Sequence, residues 1–356
     1  MLDLSVYKNK KVFITGHTGF KGSWLCKVLD FYEANITGYS LRPPTEPNLY
    51  DMLEFDREIN SILGDVSCLE DLSKALNNAK PDVVIHMAAE TIVRESYHNP
   101  VKTYTTNVMG TVNILEAIRT CETVKSFVNV TTDKVYENHE WCWGYRENDQ
   151  LNGFDPYSNS KSCSELVTDC YRKSFLNENG KDGRAIAIST CRAGNVIGGG
   201  DFSSDRIIPD CVRSIMSSNE MVIRNPHSVR PFQHVLEPIF AYLKLAHMQY
   251  ENPEKMGYYN IGPNEIDCIN TEKLVKLFEK YWNGGFVIAP YDTKVDNIHE
   301  SEFLKLDCSK IKSKLGIKPK WNIETAVEKT VEWTKAYLDN KNINDIMSKQ
   351  IKEYLN

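Results

Sequence analysis

The chain has 356 residues, with 42 basic residues against 48 acidic ones and a formal net charge of −6 at neutral pH. A mildly acidic chain without long runs of like charge is not typical of nucleic-acid-binding proteins, and no stretch approaches the roughly 20 apolar residues of a membrane span. The first residues carry Asp3 and lack an apolar signal core. We therefore expect a cytoplasmic protein without nucleic-acid or membrane partners, large enough for one α/β unit and a smaller lobe.

The first thirty residues contain a strand, a glycine-rich turn and a helix. Residues 11–15 are β-prone, Gly16-His-Thr-Gly19-Phe-Lys-Gly22 follows, and residues 23–29 show apolar periodicity. Glycines permit a tight turn and close backbone approach, and a helix N-terminus offers free N–H groups to a pyrophosphate. The pattern predicts a dinucleotide-binding unit. A plain strand-to-helix turn is the alternative.

Three later segments continue this pattern. Residues 35–39, 82–86 and 126–130 are short and β-prone, and helical patterns separate them. They predict an α/β fold with a Rossmann-type doubly wound parallel sheet and a smaller C-terminal substrate-binding lobe. We assign residues 1–190 and 235–258 to the sheet domain, and residues 191–234 and 259–356 to the lobe. The site is expected in the cleft between them, outside the carboxyl ends of the strands.

The residues after the second strand bear on the choice of dinucleotide. NAD-dependent proteins usually place an acidic residue there for the adenosine ribose, whereas this chain has Ser40-Leu41-Arg42. Arg42 would favour the 2′-phosphate of NADP, unless the following Pro43 and Pro44 direct it into solvent. We expect NAD as the cofactor, with NADP as the alternative because of Arg42.

Tyr157 and Lys161 lie four residues apart in a predicted helix over residues 157–176, so their side chains share one face. The pair suits proton transfer coupled to hydride transfer, because a nearby cation stabilises a phenolate. An isolated YxxxK pattern more often lies on a solvated helix face. The glycine-rich turn upstream favours the redox interpretation.

Ten cysteines and eight histidines are scattered without CxxC, HxxxH or HExxH spacing. This distribution gives little support to a metal site, and we expect none. Cys26, Cys121, Cys163 and Cys191 lie in apolar or helical contexts. We expect them to be reduced residues that pack as small hydrophobes.

Taken together, the motifs resemble the extended short-chain dehydrogenase/reductase family. The shared motifs are GxxGxxG, HMAAE at 86–90, VTTDK at 130–134 and YSNSK at 157–161. Within that family the chain is similar to the nucleotide-sugar 4,6-dehydratases of the CDP-glucose type, in GHTGFKGSW at the front, in ENHEWCWGYREND between Glu137 and Asp149, and at 192–201, 206–209, 223–226, 230–238 and 304–310. The similarity extends over about residues 11–333.

Several positions distinguish the chain within this family. The CDP-glucose type carries Lys, as in Lys134, where the dTDP-glucose and GDP-mannose types carry Glu. Departures from the CDP-glucose type are Arg42 in place of an acid, Glu90 in place of Gln, and Thr132 in place of Ser. Arg42 bears on the choice of dinucleotide and Glu90 on the fit of the substrate. Thr132 keeps the hydroxyl group of the Ser that it replaces.

The resemblance implies dehydration through a temporary ketone. Removing the 6-hydroxyl of a hexose directly is difficult, because the C5 proton becomes acidic only beside a carbonyl at C4. Tyr157 would take the 4-hydroxyl proton while Thr132 holds the same oxygen, and Lys161 would support Tyr157. Asp133 would protonate the departing 6-hydroxyl, and Lys134 stands in the position of the C5 base. A surface ion-pair turn is the alternative interpretation of Asp133 and Lys134, which can share a site only if the strand ends there.

The resemblance also implies binding residues and an assembly. Substrate contacts are expected from Arg192, Arg206 and Arg230, whose guanidinium groups suit a diphosphate, and from Asn195, His234 and His299. A nucleotide-diphosphate sugar is the expected substrate, and a homodimer or higher homo-oligomer is expected through helices near 100–120 and 157–176. Cofactor contacts are expected from Gly16, Thr18, Gly19, Phe20, Lys21, Gly22, Arg42, Asp65, Val66, Ala88, Ala89, Asn107, Tyr157 and Lys161.

Two other functions fit parts of the sequence. A nucleotide-sugar 4-epimerase or reductase of the same family needs Tyr157 and Lys161 but no acid/base pair at Asp133 and Lys134. A non-catalytic dinucleotide-sensing protein would bind the cofactor without turnover, and such proteins tend to lose the Tyr–Lys pair. The tripeptide Thr132-Asp133-Lys134 therefore favours a dehydratase.

Overall fold

The structure is a computed structural model that describes residues 4–177, 185–217, 219–283, 288 and 301–356. Within these ranges a seven-stranded parallel sheet is the centre of the fold. Its strands are β1 Lys11–Thr15, β2 Asn35–Ser40, β3 Asn60–Leu63, β4 Val83–His86, β5 Ser126–Thr132, β6 Ala187–Ala193 and β10 Tyr258–Ile261. Four two-residue strands form two further pairings. The first joins β7 Val196–Ile197 to β9 Gln233–His234, and the second joins β8 Val229–Arg230 to β11 Ile269–Asn270.

Helices cover both faces of the sheet and build the adjoining lobe. They are α1 Phe20–Phe31, α2 Leu69–Ala79, α3 Val93–His98, α4 Pro100–Tyr104, α5 Gly110–Thr120, α6 Pro156–Ser174, α7 Ile207–Ser217, α8 Leu236–Glu251, α9 Thr271–Trp282, α10 Ser309–Leu315, α11 Ile323–Leu338 and α12 Ile343–Leu355. Every residue of β4, β5 and β6 is buried, as expected for parallel strands between two helical layers.

The strand order is β10-β6-β5-β4-β1-β2-β3, and neighbouring strands pair in parallel. The order of addition reverses between β1 and β4, so a crevice opens there at the carboxyl ends of the strands. The predicted fold class is therefore confirmed.

Three hydrophobic clusters fill the described part of the chain. One lies between the sheet and helices α1, α8 and α12, with Trp24 and Leu245 among its buried members. The second lies under α2, α5 and α6 on the other face, around Phe127 and Leu115. The third, around Phe278, is the core of the lobe formed by α7, α9 and α11. The division of the sequence into a sheet domain and a lobe stays a prediction.

Local signals explain where the site-bearing helix begins. Asp155 caps α6 by accepting hydrogen bonds from the Ser158 backbone N–H, at 2.9 Å, and from the Ser158 hydroxyl. Pro156 occupies the first helical position, where its missing N–H costs nothing. This start places Tyr157 in the first turn of the helix. The segment predicted as a helix near 100–120 consists of α4, a π turn at Thr105–Met109, and α5.

Among the described residues, no helix combines the length and apolar character that crossing a membrane requires. In the same ranges, no group of three or more His, Cys, Asp or Glu side chains is arranged to hold a metal ion. The ten cysteines, all within the described ranges, are free thiols.

Candidate active site

The glycine-rich turn after β1 forms a cradle against the turn after β4. Gly16 has a φ of +77°, and a Cβ there would lie 2.8 Å from the Ala88 backbone nitrogen. A Cβ on Gly22 would collide with the Gly16 carbonyl oxygen. The Thr15 hydroxyl accepts hydrogen bonds from the backbone N–H groups of Met87, at 3.1 Å, and Ala88, at 3.2 Å. The two turns therefore approach each other at the crevice so closely that no side chain fits at Gly16 or Gly22. Such a turn lets the backbone come close to a dinucleotide pyrophosphate.

The end of β2 forms the adenosine side of this cradle. Thr18 Oγ1 donates a hydrogen bond to the Leu41 carbonyl oxygen at 2.9 Å and lies 2.9 Å from Ser40 Oγ. This contact fixes the glycine-rich turn to the second strand. Arg42 and Asp65 are both exposed beside it.

One expected cofactor residue, Asn107, supports the turn after β4. The Asn107 side-chain amide donates to the Glu90 carbonyl oxygen at 3.0 Å and to Ser160 Oγ at 2.9 Å, and its oxygen accepts from the Glu90 N–H at 2.8 Å. The polar atoms of its side chain therefore bond the protein, and a contact between Asn107 and the cofactor stays a prediction. Val66 is buried with its side chain under Gly110, and its carbonyl oxygen accepts a hydrogen bond from the Asn113 side chain at 2.9 Å.

Tyr157 and Lys161 are buried on one face of α6, at the carboxyl end of β5. Only 9% of Tyr157 and 4% of Lys161 is exposed, which excludes a solvated helix face. The Lys161 ammonium donates to the Val130 carbonyl oxygen at 3.2 Å, and the Thr132 hydroxyl lies close enough to Tyr157 to lower the pKa of its phenol. The helix and the strand thus bring the three side chains to one place.

Burial controls the protonation of this pair. Burial raises the pKa of Tyr157 to about 12, while the nearby Thr132 hydroxyl and the charge of Arg206 act in the opposite direction. Burial lowers the pKa of Lys161 to about 8, and the charge of Glu165 opposes this shift. Tyr157 is therefore a neutral phenol at pH 7 and acts as a base only when further positive charge or a proton acceptor assists it.

The strand β5 ends at Thr132, and a short helical turn follows at Asp133–Val135. The turn satisfies the condition under which Asp133 and Lys134 can share one site. The Thr132 hydroxyl donates to Asp133 Oδ1 at 3.0 Å, and only 2% of Asp133 is exposed. Burial raises the pKa of Asp133, whereas the charge of Lys134 is the largest opposing influence. A buried carboxyl is not part of a surface ion-pair turn, so that alternative is excluded for Asp133.

Lys21 reaches the same site from the glycine-rich turn. Its ammonium donates to the Tyr242 hydroxyl at 3.5 Å, and burial lowers the pKa of Lys21 to about 8, with the charges of Arg206 and Lys161 acting in the same direction. Sequence reasoning missed Tyr242, which lies in the buried helix α8 among apolar residues. Nothing in the local pattern distinguishes it from a core tyrosine.

Two of the expected substrate arginines, Arg206 and Arg230, lie near the buried side chains at the end of β5. Arg206 donates to Asp201 Oδ2 at 3.0 Å and to the Thr91 hydroxyl at 3.3 Å, and it remains one-third exposed. Arg230 is buried, bonds the Ser301 carbonyl oxygen, and its charge lowers the pKa of Asp133. Arg230 therefore lies near Asp133, and the charge of Arg206 acts on Tyr157.

Two other expected substrate residues belong to the core, and we correct their assignment. Arg192 lies on β6 with only 2% exposed, and its Nε donates to both carboxylate oxygens of Glu165, at 2.9 and 2.8 Å. It also donates to the Tyr136 hydroxyl at 2.8 Å, so it has no accessible edge for a diphosphate. His234 is fully buried, and its ring packs edge-on against Trp24.

Asn195 and His299 are the remaining two expected substrate residues. Asn195 is partly buried in the link between β6 and β7, where its carbonyl oxygen accepts from the Gln233 N–H at 2.9 Å. Its side chain stays a candidate. His299 lies outside the described residues.

The aromatic stretch of the sequence forms a stacked wall beside the turn. Tyr136 stacks on Tyr145 with centroids 5.1 Å apart, and Tyr145 stacks on Trp141 at 5.2 Å. Trp143 continues the series, edge-on to Trp141 at 5.9 Å, and is largely exposed. A pocket next to this wall is lined by Val93, Lys134, Tyr136, Asn138, Phe154, Asp155, Ser158, Ser301 and Leu304. Lys134 is thus partly exposed toward open space.

This combination of a doubly wound sheet, a glycine cradle and a buried Tyr–Lys pair defines the class of extended short-chain dehydrogenases/reductases. The model of the GDP-mannose 4,6-dehydratase family matches residues 13–330. The chain belongs to this family. It is 41% identical over 357 aligned residues to the CDP-glucose 4,6-dehydratase of Salmonella typhimurium, and the alignment covers 100% of this chain and 99% of that protein.

Solved structures share the fold at lower identity. An epimerase from Methanothermobacter thermautotrophicus superposes with a TM-score of 0.82 at 20% identity, with 95% of each chain covered. The dTDP-glucose 4,6-dehydratase of Bacillus anthracis, in complex with NAD, superposes with a TM-score of 0.76 at 20% identity, covering 94% of this chain and 99% of that one. Dehydratases and epimerases therefore share this scaffold.

Proposed function

We propose that the protein is a CDP-glucose 4,6-dehydratase, a hydro-lyase that forms CDP-4-keto-6-deoxyglucose. The observation that carries this proposal is the turn at the end of β5, which places a buried acid, Asp133, beside the buried pair of Tyr157 and Lys161. An epimerase or reductase needs the pair alone, and a sensor protein needs neither. The full-length similarity to the Salmonella typhimurium enzyme supports CDP as the nucleotide.

NAD is the cofactor of this reaction. The cradle at Gly16, Gly22 and Ala88 fits a dinucleotide, because added Cβ atoms would fill it. When bound, the dinucleotide accepts a hydride from C4 and gives it back at C6, so it is not consumed. Arg42 is exposed to solvent, which agrees with NAD as the cofactor in place of NADP. Mass spectrometry of the dinucleotide released on denaturation tests this choice.

The chain's own residues manage the protons at O4. Tyr157 receives the 4-hydroxyl proton as the ketone forms, and the Thr132 hydroxyl positions the same oxygen. Lys161, held on the Val130 carbonyl oxygen, keeps a positive charge under the phenol below pH 8. Arg206 adds positive charge from the substrate side.

Elimination follows at C5 and C6. The ketone makes the C5 proton acidic, and Lys134, partly exposed beside the aromatic wall, removes it. Asp133 gives a proton to the 6-hydroxyl as it leaves as water, because burial favours the neutral acid form of this carboxyl. The C5 proton then returns to C5 as the methyl group forms at C6.

The diphosphate of the substrate is held by Arg206, Arg230 and the Asn195 side chain. Arg230 lies near Asp133 and Arg206 lies near Tyr157, and guanidinium groups form paired hydrogen bonds with phosphate oxygens. The aromatic wall of Tyr136, Tyr145 and Trp141 bounds the same space.

We also propose a cytoplasmic homodimer. Val101 is 79% exposed and Leu166 is 58% exposed, and they lie on α4 and α6, which pack against each other. Together with the exposed Met109, they leave an apolar face of the kind that a dimer covers. Free thiols among the described residues agree with a reducing compartment.

A panel of substrates tests the proposed function. The purified protein is incubated separately with CDP-glucose, dTDP-glucose and GDP-mannose, and loss of one water is followed by mass spectrometry. We expect dehydration of CDP-glucose above the other two. Dehydration of another nucleotide sugar with CDP-glucose untouched would reject the substrate, and no dehydration of any would reject the reaction.

A further inference from the structure

A chain of buried polar side chains lies between the dinucleotide cradle and helix α6, which carries the Tyr–Lys pair. It begins at Thr15 and His86, the last residues of β1 and β4, which pair side by side in the sheet. It continues through Thr111 on α5 to Ser164 on α6. All four side chains are at most 1% exposed, and the proposed chemistry at the sugar uses none of them.

The hydrogen bonds of Thr15 determine which nitrogen of His86 carries its proton. Thr15 Oγ1 accepts from the backbone N–H groups of Met87, at 3.1 Å, and Ala88, at 3.2 Å, so both of its lone pairs are engaged. Its single hydrogen is therefore donated to His86 Nδ1, which lies 2.7 Å away. Burial, together with the nearby charge of Lys161, lowers the pKa of His86 to about 3, so the ring is neutral at pH 7. The proton of this neutral ring is then on Nε2.

The next hydrogen bonds of the chain also have fixed directions. Thr111 Oγ1 donates to the Asn107 carbonyl oxygen at 2.7 Å, because a carbonyl can only accept. Its two lone pairs therefore accept from His86 Nε2, at 3.4 Å, and from the Ser164 hydroxyl, at 2.8 Å. Ser164 Oγ in turn accepts from the Asn129 side-chain amide at 3.0 Å. Each hydroxyl hydrogen and the ring hydrogen of the chain thus has one acceptor.

Helix α6 needs such a connection because part of its buried side is polar. Ser160, Ser164 and Thr168 recur every four residues along it and are all buried. Apolar packing is non-directional and would define the rotation and axial position of such a helix only loosely. Hydrogen bonds define both, because they require donor and acceptor to be aligned. Ser164 lies seven residues after Tyr157 and three after Lys161, so an anchor at Ser164 also fixes the side of the helix that carries the pair.

We propose that His86 and Thr111 are positioning residues that set the Tyr–Lys pair on α6 at the correct distance from the dinucleotide cradle. Thr15 connects His86 to the backbone of the turn after β4, and Ser164 connects Thr111 to α6. Hydride transfer requires reacting atoms about 3–3.5 Å apart, and a misplacement of about 1 Å costs roughly 100-fold in rate. The two residues act through the elements that they hold and not on the sugar. The inference rests on the oxidation of C4 in the proposed function.

Thr111→Val tests the connection, because it removes the hydroxyl and keeps the shape of the side chain. The protein with its bound dinucleotide is mixed with CDP-6-deoxyglucose, which can be oxidised at C4 but cannot lose water, and the absorbance of reduced nicotinamide is followed. We expect oxidation to be roughly 10- to 100-fold slower, with little change in KM for CDP-glucose. Thr111→Ser should restore most of the rate. His86→Asn keeps the acceptor for Thr15 but is too short to reach Thr111, so combining it with Thr111→Val should slow oxidation no further than either change alone.

Thr330→Val is the matched control. Thr330 is also a fully buried helical threonine whose hydroxyl donates to the carbonyl oxygen four residues earlier, that of Ala326, at 2.7 Å. It lies on α11 in the core of the lobe, away from α6. It should lose about as much stability in urea unfolding as Thr111→Val and should keep the wild-type rate of oxidation.

Nitrogen NMR of protein with 15N-labelled histidine examines the chain without turnover. We expect His86 to show an unprotonated Nδ1 and a protonated Nε2 at pH 7 and to stay neutral down to pH 5, in agreement with its lowered pKa. Loss of these signals in His86→Asn assigns them. The Nε2 signal should shift in Thr111→Val and stay in place in Thr330→Val.

Several results would overturn the positioning role. A Thr111→Val protein that oxidises the analogue at the wild-type rate contradicts it, and so does a Thr330→Val protein that loses as much rate. A His86 ring with its proton on Nδ1 contradicts the direction of the chain. If Thr111→Val does not fold, Ser164→Ala removes the same connection from the side of α6 with a residue that favours a helix, and the same slowing is expected. Wild-type protein that oxidises the analogue but dehydrates no nucleotide sugar rejects the proposed dehydratase, whereas the comparison of variants still decides the positioning role.

Discussion

The two charged residues at the end of β5 differ in burial. Asp133 is enclosed and its pKa is raised, whereas Lys134, one residue later, is partly exposed toward the pocket beside the aromatic wall. The strand ends between Thr132 and Asp133, so the two charged side chains need not point to opposite faces of the sheet. In the proposed mechanism this short turn supplies both the acid, Asp133, and the base, Lys134.

Removing the base is expected to separate oxidation from elimination. Lys134→Ala should still oxidise C4 of CDP-glucose but should lose water roughly 10²- to 10⁴-fold more slowly, the usual contribution of a positioned base. Rapid mixing should therefore show reduced nicotinamide that accumulates, whereas wild-type protein shows little. Unchanged dehydration in this variant would show that Lys134 is not the C5 base.

Lys161 gives a prediction about stability and pH. Burial lowers its pKa from the usual 10.5 to about 8, so the folded chain releases this proton at a lower pH than the unfolded chain. Below pH 8, burying the charged ammonium lowers the free energy of unfolding by its full amount. Between pH 8 and 10.5 the folded chain has released this proton while the unfolded chain still holds it, so the stability of the fold rises with pH.

Lys161→Met should therefore be more stable than wild type at pH 7, although it is inactive. We expect a gain of about 1–2 kcal/mol after the lost hydrogen bond to Val130 is subtracted, and this gain should shrink as the pH approaches 10. Urea unfolding at pH 7 and at pH 10 measures both values. A variant that is less stable than wild type by the same amount at both pH values would contradict the assignment.

At the scale of elements, β6 and α6 are joined by a buried ion pair. Arg192 on β6 and Glu165 on α6 are almost fully enclosed, and the Thr131 hydroxyl also donates to Glu165, at 2.6 Å. The pair holds the helix that carries Tyr157 and Lys161 against the strand next to β5. Its function is to fix the position of that helix.

Breaking this pair should destabilise the fold. Arg192→Met leaves a buried carboxylate without its partner and should cost about 3–5 kcal/mol in urea unfolding. Glu165→Leu combined with Arg192→Met should recover most of that loss, because neither charge remains. Lys74→Met, which breaks the exposed pair with Glu70, is the control and should change the stability little. A stable Arg192→Met protein with only a raised KM would restore Arg192 to the diphosphate site.

The contrast between Tyr157 and Arg192 shows how far the sequence predicts this site. Tyr157, Lys161 and the glycine-rich turn depend on spacings within single elements, and the parallel sheet follows from alternating strands and helices, so these were predictable. Arg192 appears in a motif of the family, but its partner Glu165 lies 27 residues away on another element. Tyr242 reaches Lys21 across 221 residues. Such pairings depend on packing between elements, which local patterns do not contain.

At the scale of the molecule, the exposed face formed by α4, the π turn and α6 should be a dimer interface. Leu166→Glu combined with Val101→Glu should convert a dimer to a monomer, because two charges per chain would be buried in the interface. Ile266→Glu, at a residue that is 88% exposed on another part of the surface, is the control and should leave the dimer intact. Light scattering coupled to size exclusion measures the mass. A wild-type monomer would refute the dimer without affecting the proposed chemistry.

In the proposed reaction the protein oxidises C4 only temporarily and moves that hydrogen to C6. CDP-glucose that carries deuterium at C4 tests this transfer, with NMR and mass spectrometry of the product. We expect a product that has lost one water and holds the deuterium in its C6 methyl group. Deuterium that remains at C4 without loss of water would indicate an epimerase, and deuterium that appears in the solvent would contradict hydride return.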